Sequence, residues 1–125
     1  MNSIKYTFSK NEKLKSKKEI SRIFNNGFFF HSDIISFAFV KSLDIEQTKH
    51  RIGISVPKKL FKLAVTRNKI KRLIREAYRL NKHTLYKNST NDDIYNIMFI
   101  YKSKTVLSYN SIQAEIVKIL KKVNM

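Results

Sequence analysis

The fold is decided by residues 51–80, which read RIGISVPKKLFKLAVTRNKIKRLIREAYRL. Apolar and other residues alternate from 51 to 56, and this period of two predicts a strand that the chain's single proline ends. Apolar residues then recur at helical spacing from about residue 64 to 86. Thr66 is a candidate N-cap, although the helix could begin one turn earlier, and residues 81–83 are expected to fray. The stretch therefore predicts a strand that leads into a long amphipathic helix.

A short helix and further strand sequence precede this unit. Ser16 and Glu19 have the spacing of a capping box, which predicts a helix near 17–26 that Gly27 ends in the left-handed conformation. Residues 28–41 look extended. Their second half alternates between two sets of side chains, Ile35, Phe37 and Phe39 on one face and Ser36 and Ala38 on the other.

The C-terminal third of the chain adds one strand and one helix. Residues 94–101 are apolar enough for a central strand. The helix that follows carries an apolar stripe of Ile112, Ile116, Ile119, Leu120 and Val123. The order helix, strands, helix, strand, helix predicts an α+β fold in which helices pack on a small sheet. We expect a single domain over residues 1–125, in which residues 1–15 form a flexible basic arm.

The charge balance indicates a polyanionic partner. The 125 residues include 26 Lys and Arg but only 9 Asp and Glu, which gives a formal net charge of +17. A folded domain with this charge repels itself unless a polyanion neutralises it, so nucleic acid is the leading partner and an anionic membrane the second. Genome bias towards AT-rich codons could supply many of the lysines. Such a bias would not gather arginines in one place.

Several classes of protein are disfavoured by what the sequence lacks. Without cysteine, the chain has no structural disulfide and no Cys-based zinc module. Its start has no apolar core of signal-peptide length, and no apolar run approaches the ~20 residues of a membrane span. The histidines at 31, 50 and 83 lack ligand-like spacing, and the acids are scattered, so we expect no metal-dependent catalytic site. We expect a soluble cytoplasmic protein.

The long helix has one basic face. At about 100° per residue, the apolar residues Ile70, Leu73, Ile74, Ala77 and Leu80 fall together. Nearly opposite lie six residues that include four of the chain's six arginines: Arg67, Asn68, Lys71, Arg72, Arg75 and Arg79. A guanidinium can donate two hydrogen bonds to one phosphate and can stack on bases. Lys58 and Lys59, just before the helix, widen the basic patch.

A solvated charged face would be the ordinary explanation for this pattern. Glu76 is the only acid from residue 67 to 80, however, so ion pairs one turn apart cannot account for it. The apolar face has the width of an ordinary core contact and Trp is absent, which disfavours a helix lying on a membrane. The basic face is therefore interpreted as a nucleic-acid contact.

The stretch from Arg51 to Arg79 closely resembles the protein subunit of bacterial ribonuclease P. That family shows a strand with an Arg-x-Gly start, a Lys-Lys pair, and an Ala-x-x-Arg-Asn helix that continues with basic and apolar residues. The matching positions are Arg51, Gly53, Lys58, Lys59, Ala64, Arg67, Asn68, Lys69, Ile70, Lys71, Arg72 and Arg75. Residues 14–27 also look like the family's first helix and turn, and the resemblance fades after about residue 105.

The resemblance implies a four-stranded sheet packed with about three helices. It also implies a left-handed β-α-β crossover, where the general rule would predict a right-handed one. The Arg-Asn helix would bind the catalytic RNA through Lys58, Lys59, Arg67, Asn68, Lys69, Lys71, Arg72, Arg75 and Arg79. A cleft between the first helix and the sheet would hold the single-stranded 5′ leader of precursor tRNA, lined by Ile20, Phe24, Ser36 and Ala38. Ile20 and Ala38 stand where relatives can carry aromatics, and plain core packing is the alternative for Ile20 and Phe24.

The family's reaction is endonucleolytic hydrolysis of a phosphodiester, which releases the leader and leaves the mature tRNA 5′ end. The resemblance implies that the RNA-containing holoenzyme requires Mg²⁺ and that the RNA binds most of it. The protein would then bind no tight cofactor and carry no catalytic residue. Its partners would be ribonuclease P RNA and precursor tRNA, with no DNA and no membrane. Two alternatives remain, a structural RNA-binding protein such as a ribosomal protein and a protein-only nuclease, which the scattered acids disfavour.

Overall fold

The computed structural model describes residues 8–88 and 93–123, and it places them in a four-stranded mixed sheet with helices on both faces. Residues 1–7, 89–92 and 124–125 lie outside the described ranges. In chain order the elements are a 3₁₀ turn at Lys10–Glu12, α1 (Lys17–Asn26), β1 (Phe28–Phe30), β2 (Ile35–Lys41), β3 (Arg51–Ser55), α2 (Ala64–Asn88), β4 (Tyr95–Tyr101) and α3 (Tyr109–Lys122). The predicted α+β fold with four strands and three α-helices is confirmed.

The strand order is β1-β2-β4-β3, so β2 and β4 are the central strands, as the apolar sequence of β4 predicted. β2 pairs antiparallel with β1 and with β4, whereas β3 runs parallel to β4. Because α2 connects the parallel neighbours β3 and β4, it is the crossover helix of a β-α-β unit. The left hand of this crossover stays a prediction from the resemblance.

The two faces of the sheet have different coverings. Phe37 and Phe99 pair across β2 and β4 and lie in the main core, which α2 and α3 cover. Ala38 and Met98 lie on the opposite face, where α1 packs through Ile23. Each fully buried large apolar side chain of this kind contributes roughly 1.5–3 kcal/mol to stability. The stripe predicted for α3 is confirmed, because all of its members are buried: Ile112, Ile116, Ile119, Leu120 and Val123.

α1 has the predicted bounds, but the glycine that follows it does not have the predicted conformation. Ser16 caps the helix, and its Oγ accepts a hydrogen bond from the amide of Glu19 at 3.2 Å. Gly27 follows the helix with a φ of −80°, which is not left-handed. A Cβ at Gly27 would clash with the carbonyl oxygen of Ile23 and would lie 2.8 Å from that of Phe39. The predicted left-handed stop is therefore wrong, and the close approach of the chain to β2 explains the glycine.

The ends of α2 correct two predictions. The helix begins at Ala64, the earlier of the two predicted starts, so Thr66 lies inside the first turn and is not the N-cap. It continues without a break through residues 81–83 to Asn88. The predicted fraying is wrong because Lys82 is buried and held in an ion pair.

The N-terminal segment is docked on the sheet edge. The amide of Leu14 donates to the carbonyl oxygen of Ile52 at 2.9 Å, which pairs the segment with the outer edge of β3. The carboxylate of Glu12 is buried, and both of its oxygens accept hydrogen bonds from Nζ of Lys82 on α2, at 3.0 and 2.8 Å. The prediction of a flexible arm is therefore wrong for residues 8–15, because backbone pairing and a buried ion pair hold them.

A buried histidine packs next to this segment. The imidazole of His50 stacks on the ring of Tyr86 with centroids 4.4 Å apart, and its Nδ1 accepts from the amide of Tyr95 at 3.0 Å. Burial lowers the pKa of His50 from 6.5 to about 4, although the carboxylate of Glu12 opposes this shift. The ring is thus neutral at neutral pH and serves as part of the packed interior.

Candidate nucleic-acid interface

The solvent side of α2 carries the basic residues that the sequence singled out. The helix packs on the sheet through Ile70, Ile74 and Ala77, which are fully buried. This packing turns the opposite face to solvent. Of the seven predicted residues on the helix, four are exposed and three are half-buried: Asn68, Lys69, Arg72 and Arg75, and then Arg67, Lys71 and Arg79. The structure therefore leaves every one of them at least partly accessible.

Two of these arginines also have partners within the protein. Nη1 of Arg67 donates to the carbonyl oxygens of Phe61 and Lys62, at 2.9 and 2.8 Å, and so ties down the segment that precedes α2. Arg79 donates from Nε to the carboxylate of Glu76 at 3.0 Å, and this hydrogen bond lowers the pKa of Glu76 below its usual 4.5. Arg72 and Arg75 differ from both, because within residues 8–88 and 93–123 their side chains form neither a hydrogen bond nor an ion pair.

The basic surface continues past α2 through residues that the sequence analysis missed. The docked N-terminal segment places Lys13 and Lys15 beside Arg75, around a shallow groove of about 210 Å³. Lys10 and Arg51 border an adjoining groove of about 250 Å³. The lysines of this segment lie near the helix only because the segment docks on β3. The local sequence, which was interpreted as a flexible arm, did not indicate this docking.

A second candidate surface is a groove on the sheet face that α1 only partly covers. Its cavity volume is about 640 Å³. Ser36 of β2 and Ile100 of β4 are paired directly across the two central strands and form part of its floor. Phe29 and His31 line it from the side of β1. Its cationic groups are Lys59, Lys102 and Lys104.

Aromatic rings run along one side of this groove. Phe24 of α1 contacts Phe29 with centroids 6.1 Å apart, and Phe29 stacks on His31 at 5.6 Å with an interplanar angle of 15°. Phe24 and Phe29 are 45% and 39% exposed. His31 is held at the floor, where its Nδ1 lies 3.0 Å from Oγ of Ser36. Exposed flat rings beside lysines suit a strand of unpaired nucleobases joined by phosphates.

The four residues predicted for the cleft have different surroundings. Ser36 lines the groove, whereas Phe24 does not line it but is exposed and contacts the lining residue Phe29. Ile20 is half-buried and packs against the same cluster as Ile23. Ala38 is fully buried in that cluster, so the prediction that it lines the cleft is wrong: α1 covers it. For Ile20, the contacts support the alternative of core packing.

Most of the groove was not predicted from the sequence. Phe29 could have been found, because side chains alternate along a strand and the middle of three phenylalanines must face away from its neighbours. Lys102 and Lys104 follow β4 at alternate positions, but only the fold brings them to β1. Lys59, assigned to the catalytic-RNA surface, lines the groove as well. Lys59 therefore lies where the two surfaces meet.

A buried polar network fixes α1 above the sheet. Asn96 of β4 is 1% exposed, and its Nδ2 donates to Oε1 of Glu19 at 2.9 Å. Its Oδ1 accepts from Nε2 of Gln47 at 3.0 Å. Arg22 donates to the same carboxylate and to the carbonyl oxygen of Lys41 on β2. Because buried hydrogen bonds have narrow geometry, the network sets where α1 lies and hence where its exposed ring borders the groove.

Two further properties bear on function. Within the described ranges, no group of three or more His, Cys, Asp or Glu side chains could hold a metal ion. None of the helices in the described part of the chain is long and apolar enough to cross a membrane.

Known sequences give an independent comparison. The chain matches the family described as Ribonuclease P over residues 8–124. The ribonuclease P protein component of Dictyoglomus turgidum is 37% identical over 119 residues, which cover 94% of this chain and 92% of that protein. The corresponding protein of Clostridium botulinum strain Loch Maree is 32% identical over 114 residues, which cover 90% of this chain and 95% of that protein.

Solved structures share the fold. The RNase P protein from Thermotoga maritima superimposes with a TM-score of 0.71 at 24% identity, covering 90% of this chain and 97% of that one. The RNase P protein from Staphylococcus aureus superimposes with a TM-score of 0.70 at 29% identity, covering 90% and 96%. Since the family match spans nearly the whole sequence and the sheet and helices agree with these structures, the chain belongs to the ribonuclease P protein family.

Proposed function

We propose that this chain is the RNA-binding subunit of a ribonuclease P ribonucleoprotein and assists the endonucleolytic removal of the 5′ leader from precursor tRNA. The observation that carries the proposal is an open groove with exposed aromatic rings and lysines beside a separate basic helix face. One surface suits a folded RNA, and the other suits a single strand. A family member with both can bring a catalytic RNA and its substrate together in the cytoplasm.

The outward face of α2 would bind the ribonuclease P RNA. Arg72 and Arg75 are exposed there and form no ion pair within residues 8–88 and 93–123, so their guanidinium groups can donate to phosphates. Lys13 and Lys15 extend the same surface across β3. Binding of this kind releases counterions from the RNA and is therefore strongly salt-dependent.

The groove would hold the leader. Proteins recognise single-stranded RNA by stacking its bases on aromatic side chains, and Phe24, Phe29 and His31 offer such rings. Lys59, Lys102 and Lys104 would contact the connecting phosphates. Double-stranded RNA has no free base faces, so this surface favours the unpaired leader over the mature tRNA.

Bond cleavage would belong to the RNA. A two-metal nuclease needs several convergent carboxylates, and the acids within the described ranges form no such group. The described residues therefore do not supply the carboxylate cluster of a two-metal nuclease, and the Mg²⁺ that the reaction needs would be bound by the RNA. The protein's part would be electrostatic: it screens the repulsion between two RNAs and positions the leader.

The test is cleavage of precursor tRNA at low magnesium concentration by a cognate ribonuclease P RNA, with and without this protein. We expect accurate 5′ cleavage only when both are present. Failure of the protein to activate the RNA, with both shown to be folded, would support the structural RNA-binding alternative. Robust cleavage by the clean protein alone would support the nuclease alternative.

The exposed ring of Phe24 gives the first prediction for the groove. Phe24→Ala should weaken binding of precursor tRNA to the holoenzyme by about 1–3 kcal/mol, the range for stacking of one base, while mature tRNA binds as before. Phe24→Trp should retain the preference. Equal weakening for both RNAs would show instead that Phe24 only packs against Phe29. Leu43→Ala, which removes a 75% exposed apolar side chain elsewhere, is the matched control.

A further inference from the structure

β1 is an edge strand made of three phenylalanines. Among residues 8–88 and 93–123 it pairs only with β2, whereas the other edge of the sheet, β3, is covered by the N-terminal segment through Leu14. Phe28 is 70% exposed, and its ring stacks on Phe39 with centroids 5.7 Å apart. Exposed edges are usually blunted by charges or proline, and this one is not. An apolar edge left open in this way marks an interaction site.

A cavity of about 350 Å³ opens beside Phe28 on the face that α3 covers. Its aromatic walls come from Phe28, Phe30, Phe39 and Tyr95, and the last turn of α3 adds Lys122. Within the wall, the ring of Tyr95 meets that of Phe39 edge-on with centroids 5.6 Å apart. Lys122 is exposed and also borders an adjoining hollow, which contains Lys118 together with the acidic residues Asp33 and Glu115. An aromatic wall with the ammonium group of Lys122 beside it matches a nucleotide, the ring facing the base and the cation facing the phosphate.

Phe29 connects this cavity to the groove, because it lines both. Side chains alternate along β1, so Phe28 and Phe30 face the cavity while Phe29 faces the groove. An RNA strand that leaves the groove over Phe29 therefore meets Phe28 next, at the neighbouring position of the same strand.

Charge selects the occupant of the cavity. A second copy of the chain would bring another +17 against this edge, beside the exposed Lys122 that already lines the cavity. A single-stranded RNA offers the opposite charge together with flat apolar bases. The cation of Lys122, the aromatic wall and the continuity with the groove all fit RNA.

We propose that the cavity beside Phe28 is a second base-binding subsite, which takes an unpaired base of the leader after the strand has passed over Phe29. The inference rests on the proposed function, because the strand that it takes is the one held in the groove. Lys122 contacts the adjoining phosphate. Leader length then becomes a determinant of affinity, since only a leader long enough to round β1 reaches Phe28.

The experiment uses holoenzyme reconstituted with a ribonuclease P RNA and precursor tRNAs with a graded series of leader lengths. Phe28→Ala should weaken binding of the long leaders about fivefold to tenfold, the lower part of the range for one stacked base, and leave short leaders and mature tRNA unchanged. Phe28→Trp should restore the affinity for long leaders. The thermal unfolding temperature of Phe28→Ala should match that of the wild type, because Phe28 is exposed. Leu43→Ala serves as the control for loss of an exposed apolar group.

Abasic residues in the distal leader separate stacking from phosphate contact. They should weaken binding to the wild type as much as Phe28→Ala does, and the two changes together should cost no more than either alone. The subsite would be overturned if the losses of affinity from the abasic residues and from Phe28→Ala added up. It would also be overturned if Phe28→Ala weakened binding equally for all leader lengths, or not at all. If Phe28→Ala leaves the affinity for every leader unchanged while Phe24→Ala weakens binding of precursor tRNA only, the subsite is overturned but the proposed function is not. If neither variant changes the affinity for precursor tRNA, the proposed function is overturned as well. Self-association that Phe28→Ala abolishes, at unchanged leader affinity, would assign the edge to a second copy.

Discussion

Lys82→Met is expected to destabilise the protein by about 3–5 kcal/mol, the usual cost of removing one partner of a buried ion pair. The carboxylate of Glu12 is 1% exposed and accepts two hydrogen bonds from the ammonium group of Lys82. Its other hydrogen bonds come from the amide and hydroxyl of Ser9, which carry no charge. With methionine at position 82, the carboxylate would stay away from water without its cation.

Urea denaturation followed by circular dichroism measures this change, and the m-value shows whether the N-terminal segment leaves the fold. Lys87→Met is the matched control, because Lys87 lies on the same helix and is exposed. The double variant Glu12→Leu, Lys82→Met should recover a large part of the loss, since no buried charge is then left unpaired. A loss below about 1 kcal/mol for Lys82→Met would mean that the pair behaves like a solvent-exposed one.

The same ion pair shows why part of the fold could be predicted from the sequence and part could not. Periodicity predicted β3, β4 and the buried stripe of α3, because these patterns depend on neighbours within one element. Glu12 and Lys82 are 70 positions apart, and nothing local indicates that they meet. The N-terminal lysines were therefore assigned to a flexible arm, although docking places Lys13 and Lys15 beside Arg75.

The sequence also identified Gly27 as the residue that follows α1, but for the wrong physical reason. Glycine after a helix usually indicates a left-handed turn, but Gly27 has a negative φ and is needed for its small size against the carbonyl of Phe39. Ala38 was correctly assigned to the face opposite Phe37, yet alternation cannot tell an open face from one that a helix covers. Both the need for glycine at position 27 and the burial of Ala38 depend on contacts between different elements.

The candidate site likewise has one part that could be predicted from the sequence and one part that could not. The basic face of α2 was predicted in full, because one helix carries it and helical geometry is regular. The groove combines residues from β1, β2 and β4 with the segment after β3, so its wall of Phe29 and His31 and its lysines at 102 and 104 became visible only in the fold. Ser36 is the predicted cleft residue that lines the observed groove, and the exposed ring of Phe24 contacts the lining residue Phe29.

The second large effect is expected for variants of the basic face of α2, which should bind RNA more weakly. The double variant Arg72→Gln, Arg75→Gln should bind ribonuclease P RNA about a hundredfold more weakly at low salt, which is the lower bound for two charged hydrogen bonds of about 1.5 kcal/mol each. The slope of log K against log salt should become shallower by roughly 0.7–0.9 for each phosphate that the variant no longer binds. Stability should stay at the wild-type level, since both side chains are exposed and form no ion pair within the described ranges.

These two positions give a cleaner test than Arg67. Arg67→Ala is also expected to weaken RNA binding and flatten the salt slope, but its guanidinium holds the carbonyl oxygens of Phe61 and Lys62. Weaker binding by that variant would therefore combine the removal of a phosphate ligand with a disturbed segment before α2.

The matched control for the double variant removes the same charge from another surface. Lys49→Gln, Lys87→Gln takes away two exposed cations outside the predicted RNA-binding set. If the basic face contacts phosphates directly, this control should change the salt slope far less than Arg72→Gln, Arg75→Gln does. Equal changes would mean that net charge alone attracts the RNA. The preference for precursor over mature tRNA should survive in both double variants, because the groove and its rings are untouched, and its loss would show that the two surfaces do not act separately.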